Sequence, residues 1–201
     1  MSLFLFLLPL PIYYLFGTFP SGILVAKIKG INIQTTGSGN VGATNVARSV
    51  GKKAGALTLL FDISKAMLSL LIADLIGRGS LSYIAFAGLI TVVGHCFSIP
   101  GLLKGGKGVA TALGVLFYVN WILALIALLG FALVFFYSRI VSLSSLAATA
   151  LASLSAILMN LPGNTWISIG LIAWLITYRH KENLERLAQG SEKKFNFGNT
   201  A

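Results

Sequence analysis

Apolar stretches about as long as a bilayer is thick take up most of this chain: 3–26, 55–77, 80–103, 109–138, 141–160 and 164–178. A stretch of roughly 20 apolar residues spans the hydrocarbon core of a membrane as a helix. The charged fraction is 10%, and the mean hydropathy is +0.88. Soluble domains carry about 25% charged residues. The stretch 109–138 would be about 45 Å long as one helix, against a core of about 30 Å. It is expected to fold back at Asn120 into two short spans. The positive-inside rule agrees. With seven spans and the N-terminus outside, all of the 15 Lys and Arg residues face the cytoplasm except Lys65 and Arg78. The expected fold is therefore all-α: one polytopic membrane bundle over residues 1–201, with seven transmembrane helices and a cytoplasmic C-terminus. Leu3–Ala26 lacks a basic leading region and is followed by Lys27 and Lys29, so it reads as a retained helix and not a signal peptide.

The formal charge of +10 fits this topology. Anionic lipid headgroups or phosphorylated substrates suit it better than nucleic acid, which is not an expected partner. Cys96 is the one cysteine, so neither an intramolecular disulfide nor a cysteine metal cluster can form. Every polar-rich segment (34–48, 104–111, 142–145 and 179–194) falls on the cytoplasmic side, where the segments can converge on a single site.

Two of these segments are glycine-punctuated loops. Thr36 to Arg48 contains a literal G-x-G-x-x-G from Gly37 to Gly42, but no βαβ pattern surrounds it. Gly101 to Thr111 nearly matches a Walker A loop, with Gly108 where a metal-binding Ser or Thr would stand and no strand before it. The general chemistry remains: accessible amides at Gly105, Gly106 and Gly108, a helix start at Val109, and the cation of Lys107 around an oxyanion. Ser38, Thr44, Asn45 and Arg48 add hydroxyl, amide and guanidinium donors. Arg48 suits bidentate phosphate contact, or else anchors the topology. Ser142, Ser144 and Ser145 follow Arg139 and read as helix N-caps or as further donors.

The segment 178–187 reads as a short helix leaving the last span, with His180, Asn183 and Leu187 on one face. His180 is a candidate phosphate donor or proton acceptor. His95 is expected to cap helix carbonyls, and Asp62, Lys65 and Asp74 to pair among themselves within spans. The acidic residues number five and form no cluster for magnesium; no nucleophile elbow is present. The chemistry should need phosphate binding and positioning, with neither a metal nor a covalent intermediate.

Three segments resemble the bacterial acyl-phosphate:glycerol-3-phosphate acyltransferase family: Ser38 to Arg48, Gly94-His95 through Lys104 to Thr111, and His180 to Leu187 with Gly190-Ser-Glu192. The resemblance implies transfer of a fatty acyl group from acyl phosphate to the 1-hydroxyl of sn-glycerol 3-phosphate, giving lysophosphatidic acid and phosphate, without a cofactor. It implies catalytic parts for Ser38, Arg48, Lys107, His180 and Asn183. It places the phosphate loop on Gly105, Gly106 and Gly108 and a structural glutamate on Glu192, while Thr44, Asn45 and Ser145 are added as phosphate-binding candidates for their own donor groups. It also implies a monomer in the bacterial inner membrane, working at its cytoplasmic face. A transporter of phosphate esters, with the glycine loops as broken-helix binding elements, is the alternative from another class.

Overall fold

The computed structural model describes residues 6–99 and 104–195, and among them every regular element is helical. The helices are α1 (Leu10–Thr18), α2 (Ser21–Ile28), α3 (Ala43–Ser49), α4 (Lys52–Gly77), α5 (Leu81–Phe97), α6 (Val109–Val119), α7 (Trp121–Ser138), α8 (Val141–Leu158), α9 (Thr165–Arg179) and α10 (Lys181–Ala188). Gly101, Leu102 and Leu103, part of the second glycine loop read from the sequence, lie outside the described residues.

Of these, α4, α7 and α8 are long and apolar enough to cross a membrane, while α5 and α6 are shorter apolar helices. The 109–138 stretch does fold back at Asn120. Its extended backbone ends α6, and its side chain caps α7 by accepting from the amides of Ile122 and Leu123. Within its described part, 6–26, the first apolar stretch is not one helix. It breaks between α1 and α2, because Pro20 has no N–H to donate to the preceding turn.

The surface is inverted relative to a water-soluble protein. Leu129, Leu133, Phe136 and Tyr137 on α7 point outward, as do Leu75, Leu158 and Trp174 elsewhere. Lipid leaves no hydrophobic drive between helices, so close packing by small residues holds them together. Gly17 of α1 and Gly94 of α5 let these two backbones touch: a Cβ on Gly17 would meet the Thr91 carbonyl, and one on Gly94 the Tyr14 carbonyl. Gly114 of α6 lies against the Ile63 backbone and Ala66 of α4 in the same way. Val92, Val115, Leu123, Ala152 and Ile176 then meet in one core. The 11 residues of α6 cover only about 16 Å, so the loop that feeds α6 lies within the bundle, against the end of α5.

Candidate active site

The 104–108 loop rests on the C-terminal turn of α5. The Gly106 amide donates to the His95 carbonyl at 2.9 Å. A Cβ on Gly105 would collide with the Cys96 carbonyl, so only glycine fits this close approach. Arg179, at the end of α9, donates from Nε to the Gly106 carbonyl at 3.1 Å and from Nη2 to the Gly105 carbonyl at 3.3 Å. In a trans peptide the C=O and the next N–H point in opposite directions. Arg179 therefore turns the amides of Gly106 and Lys107 away from itself. Gly108 takes φ +86 to start α6, a conformation that L side chains rarely adopt. The first-turn amides of α6 have no intrahelical acceptor. Beside them, Thr111 Oγ1 is the one buried side-chain polar atom without a hydrogen-bond partner among the described residues.

Lys107 reaches across to α10 and donates to Asn183 Oδ1. The Asn183 amide is held in that orientation by Glu192, whose Oε1 accepts from Nδ2 at 2.5 Å. Glu192 also accepts from Ser142 Oγ at 2.7 Å and Arg186 Nε at 2.6 Å, so the start of α8 and the two ends of the C-terminal segment meet on one carboxylate. Burial pushes the Glu192 carboxyl up, but these three donors outweigh it and leave it below its usual range. Burial lowers the Lys107 ammonium from its usual value, against the opposing pull of Glu192.

His180 is buried, and its Nδ1 lies 2.8 Å from the Ile176 carbonyl. A carbonyl only accepts, so Nδ1 carries the proton and Nε2 of the neutral ring holds a lone pair. Burial lowers its pKa from 6.5 to about 4, with Lys107 acting in the same direction. The neutral ring is thus an acceptor. Donation from Nε2 to phosphate needs the protonated form.

The other glycine loop is built around Asn45, which is buried at the start of α3. Its Nδ2 donates to the carbonyls of Thr36 and Asn40, both at 2.9 Å, and its Oδ1 accepts from the Ser38 amide at 3.0 Å. Both ends of the Asn45 amide are engaged in shaping the loop. Ser38 is exposed at the tip, and Thr44 and Arg48 are half-buried on α3. No hydrogen bond among the described residues joins this loop to 104–108. Ser144 and Ser145 do not cap α8: their hydroxyls donate back to Ile140 and Val141, both at 2.8 Å.

His95 does not cap carbonyls. Its Nδ1 lies 2.9 Å from Lys65 Nζ, which also makes a 2.8 Å ion pair with Asp62. Asp74 stands apart from that pair and accepts from Tyr118 at 2.9 Å. The sequence assigned no role to Arg179 or Arg186, and none to Ser142 as a partner of Glu192. Only the place of Arg179 immediately before His180 marked it at all.

Beyond Gly108 an apolar cleft runs between α6, α7, α8 and α9, lined by Val109, Leu116, Phe131, Ala152 and Ile176 among others. Thr149 and Ser153 also line it, but they turn their hydroxyls back to the carbonyls of Ser145 and Thr149.

The helical bundle thus sets a glycine loop and a buried lysine beside an apolar cleft, polar groups for a headgroup next to apolar lining for a chain. The family described as glycerol-3-phosphate acyltransferase matches residues 7–190. A glycerol-3-phosphate acyltransferase of Aquifex aeolicus is 43% identical over 182 residues, covering 90% of this chain and 95% of its own. One from Geotalea daltonii is 40% identical, covering 90% and 93%. Two crystal structures of PlsY (YgiH), described as an integral membrane glycerol 3-phosphate acyltransferase, superpose at 40% identity. The glycerol 3-phosphate form gives a TM-score of 0.89 over 95% of this chain and 96% of that one. The lysophosphatidic acid form gives 0.87 over 95% of each. This chain belongs to the glycerol-3-phosphate acyltransferase family and is an acyltransferase.

Proposed function

We propose that this acyltransferase moves a fatty acyl group from acyl phosphate to the 1-hydroxyl of sn-glycerol 3-phosphate. One observation carries the reading: Lys107, Asn183 and the buried ring of His180 are grouped beside the glycine loop that opens α6. The phosphate of glycerol 3-phosphate lies against the α6 amides and Lys107. Ser38, Thr44 and Arg48 on the other glycine loop serve the second phosphoryl group, and the acyl chain enters the apolar cleft. Asn45 and Ser145 act from behind, through the loop and helix they brace, and Glu192 holds Asn183.

The hydroxyl oxygen attacks the acyl carbonyl carbon, the bond from that carbon to the phosphate oxygen breaks, and phosphate leaves. A ring with a pKa of about 4 is a weak base, while phosphate monoanions have a second pKa near 6. In the resting complex His180 Nε2 orients the hydroxyl by accepting its hydrogen bond; as the oxygen attacks, the O–H turns to a phosphate oxygen and its proton ends on the leaving phosphate. The acyl donor is already activated, so juxtaposition supplies most of the rate. No cofactor enters.

The seven-span topology, with the N-terminus outside and the site at the cytoplasmic face of the bacterial inner membrane, gives the polar substrate direct access. The chain works as a monomer and a single domain. The test is phosphate release by the purified protein. Release that depends on both substrates supports the reading; flux of glycerol 3-phosphate through liposomes without chemistry means a transporter.

A further inference from the structure

Asp62 and Lys65 are buried in the middle of α4, at 1% and 5% exposure. Replacing a buried ion pair by apolar side chains is commonly neutral or stabilising, so stability alone does not account for one here. Its contacts indicate another use. Asp62 Oδ1 accepts from Ser21 Oγ at 2.6 Å, at the head of α2, which leads into the first glycine loop. Lys65 Nζ donates to the Phe19 carbonyl at 3.0 Å, at the break before α2. Its 2.9 Å contact with His95 leads to the second loop. An ammonium has only donors, so His95 Nδ1 must accept and the neutral ring carries its proton on Nε2. That end of the ring lies under Gly106, where a Cβ would run into Nε2, Cε1 and Cδ2. The His95 carbonyl holds the Gly106 amide from the same residue.

We infer that His95 is a positioning residue for the glycine loop and that the Asp62–Lys65 pair, by fixing its tautomer and ring plane, acts on the binding of glycerol 3-phosphate. The inference rests on the reading that this loop holds the substrate phosphate. One internal knot is then shared by both loops, and it sets the floor on which Gly106 lies.

Two variants test it. Asp62→Asn/Lys65→Met removes both charges together, so neither is left buried and unpaired. His95→Asn keeps an acceptor for Lys65 but takes away the ring under Gly106. The chain has two histidines, so ring ¹⁵N spectra of the purified protein resolve His95 from His180. In the parent protein His95 should show a single neutral Nε2-protonated ring. The double variant should lose that signature while His180 keeps its own. Calorimetric titration with glycerol 3-phosphate, without acyl donor, should give a Kd weakened about three- to tenfold in both variants, the effect of one lost positioning hydrogen bond.

An unchanged His95 signature in the double variant would overturn the proposed link. So would a parental Kd in His95→Asn protein that melts like the parent. If the parent itself does not bind glycerol 3-phosphate, the functional reading falls, and the inference about substrate binding falls with it. The ring spectra still decide separately whether Lys65 holds His95.

Discussion

Arg179 donates to Gly106, Nε to carbonyl oxygen, at 3.1 Å. A second bond from the same guanidinium reaches Gly105, and the Phe97 ring lies 5.7 Å below Arg179 Cζ. Two loop carbonyls are thus held by one rigid fork, and the amides that follow them face the opposite side. Lysine has no fork and cannot hold both peptide planes. Arg179→Lys should raise KM for glycerol 3-phosphate about three- to tenfold with little change in kcat. Steady-state kinetics with acyl phosphate held saturating will show it, and an unchanged KM would remove Arg179 from the loop's support.

Gly108 is the glycine of the 104–108 loop held in the left-handed region, at φ +86. An alanine there holds a left-handed conformation at about 1–2 kcal/mol and also approaches Val92 and Cys96 Sγ. Gly108→Ala should raise KM for glycerol 3-phosphate more than it lowers kcat. A variant with parental melting temperature and parental KM would refute this.

His180 should behave as an acceptor. His180→Gln keeps an acceptor oxygen and should retain clearly more activity than His180→Ala. An acidic limb near pH 6 in the kcat profile, belonging to phosphate, should persist in both. Its disappearance would make His180 the base. The lowered ring pKa has a stability consequence as well. Between about 6.5 and about 4 an unfolded chain takes up a proton that the native ring refuses, so the fold weakens as pH falls through that window. Melting temperatures at pH 7 and pH 5 should differ less for His180→Gln than for the parent.

Glu192→Ala removes the acceptor of Ser142, Asn183 and Arg186 at once. The melting temperature should drop, and activity should fall with it because Asn183 is no longer oriented toward Lys107. Glu192→Gln keeps one acceptor oxygen and should lie between the two. A fully active, parentally stable Glu192→Ala would sink the bracing role.

Topology is testable with single cysteines in a Cys96→Ala background. Asn164 and Lys193 are exposed, whereas Ser142 is buried against Glu192 and would report poorly. Asn164→Cys should label from outside and Lys193→Cys from the cytoplasm. Labelling of both from one side would break the seven-span arrangement.

The sequence made the fold-back at Asn120 visible, because span length demanded a break and asparagine is a natural cap. The break at Pro20 was hidden by a hydropathy profile that ran on through it. Lys107, His180 and Asn183 could be picked out because each falls in a dense polar segment, and Glu192 only through the family resemblance. The partners of His95 could not, since Lys65 lies 30 residues away on another helix and nothing local marks the contact. Asn45 looked like a ligand because an amide suits phosphate as well as it suits a turn. Only the positions of Thr36, Ser38 and Asn40 around it show where its hydrogen bonds go.

The pairing of Asp62 with Lys65 has an electrical consequence. A lone ammonium deep in an energised membrane would feel up to about 2.3 kcal/mol for each 100 mV across it. With its counter-charge 2.8 Å away, Lys65 forms a dipole of no net charge, on which a uniform field exerts a torque but no pull. The knot beneath the glycine loop can therefore keep its geometry whether the membrane is charged or discharged.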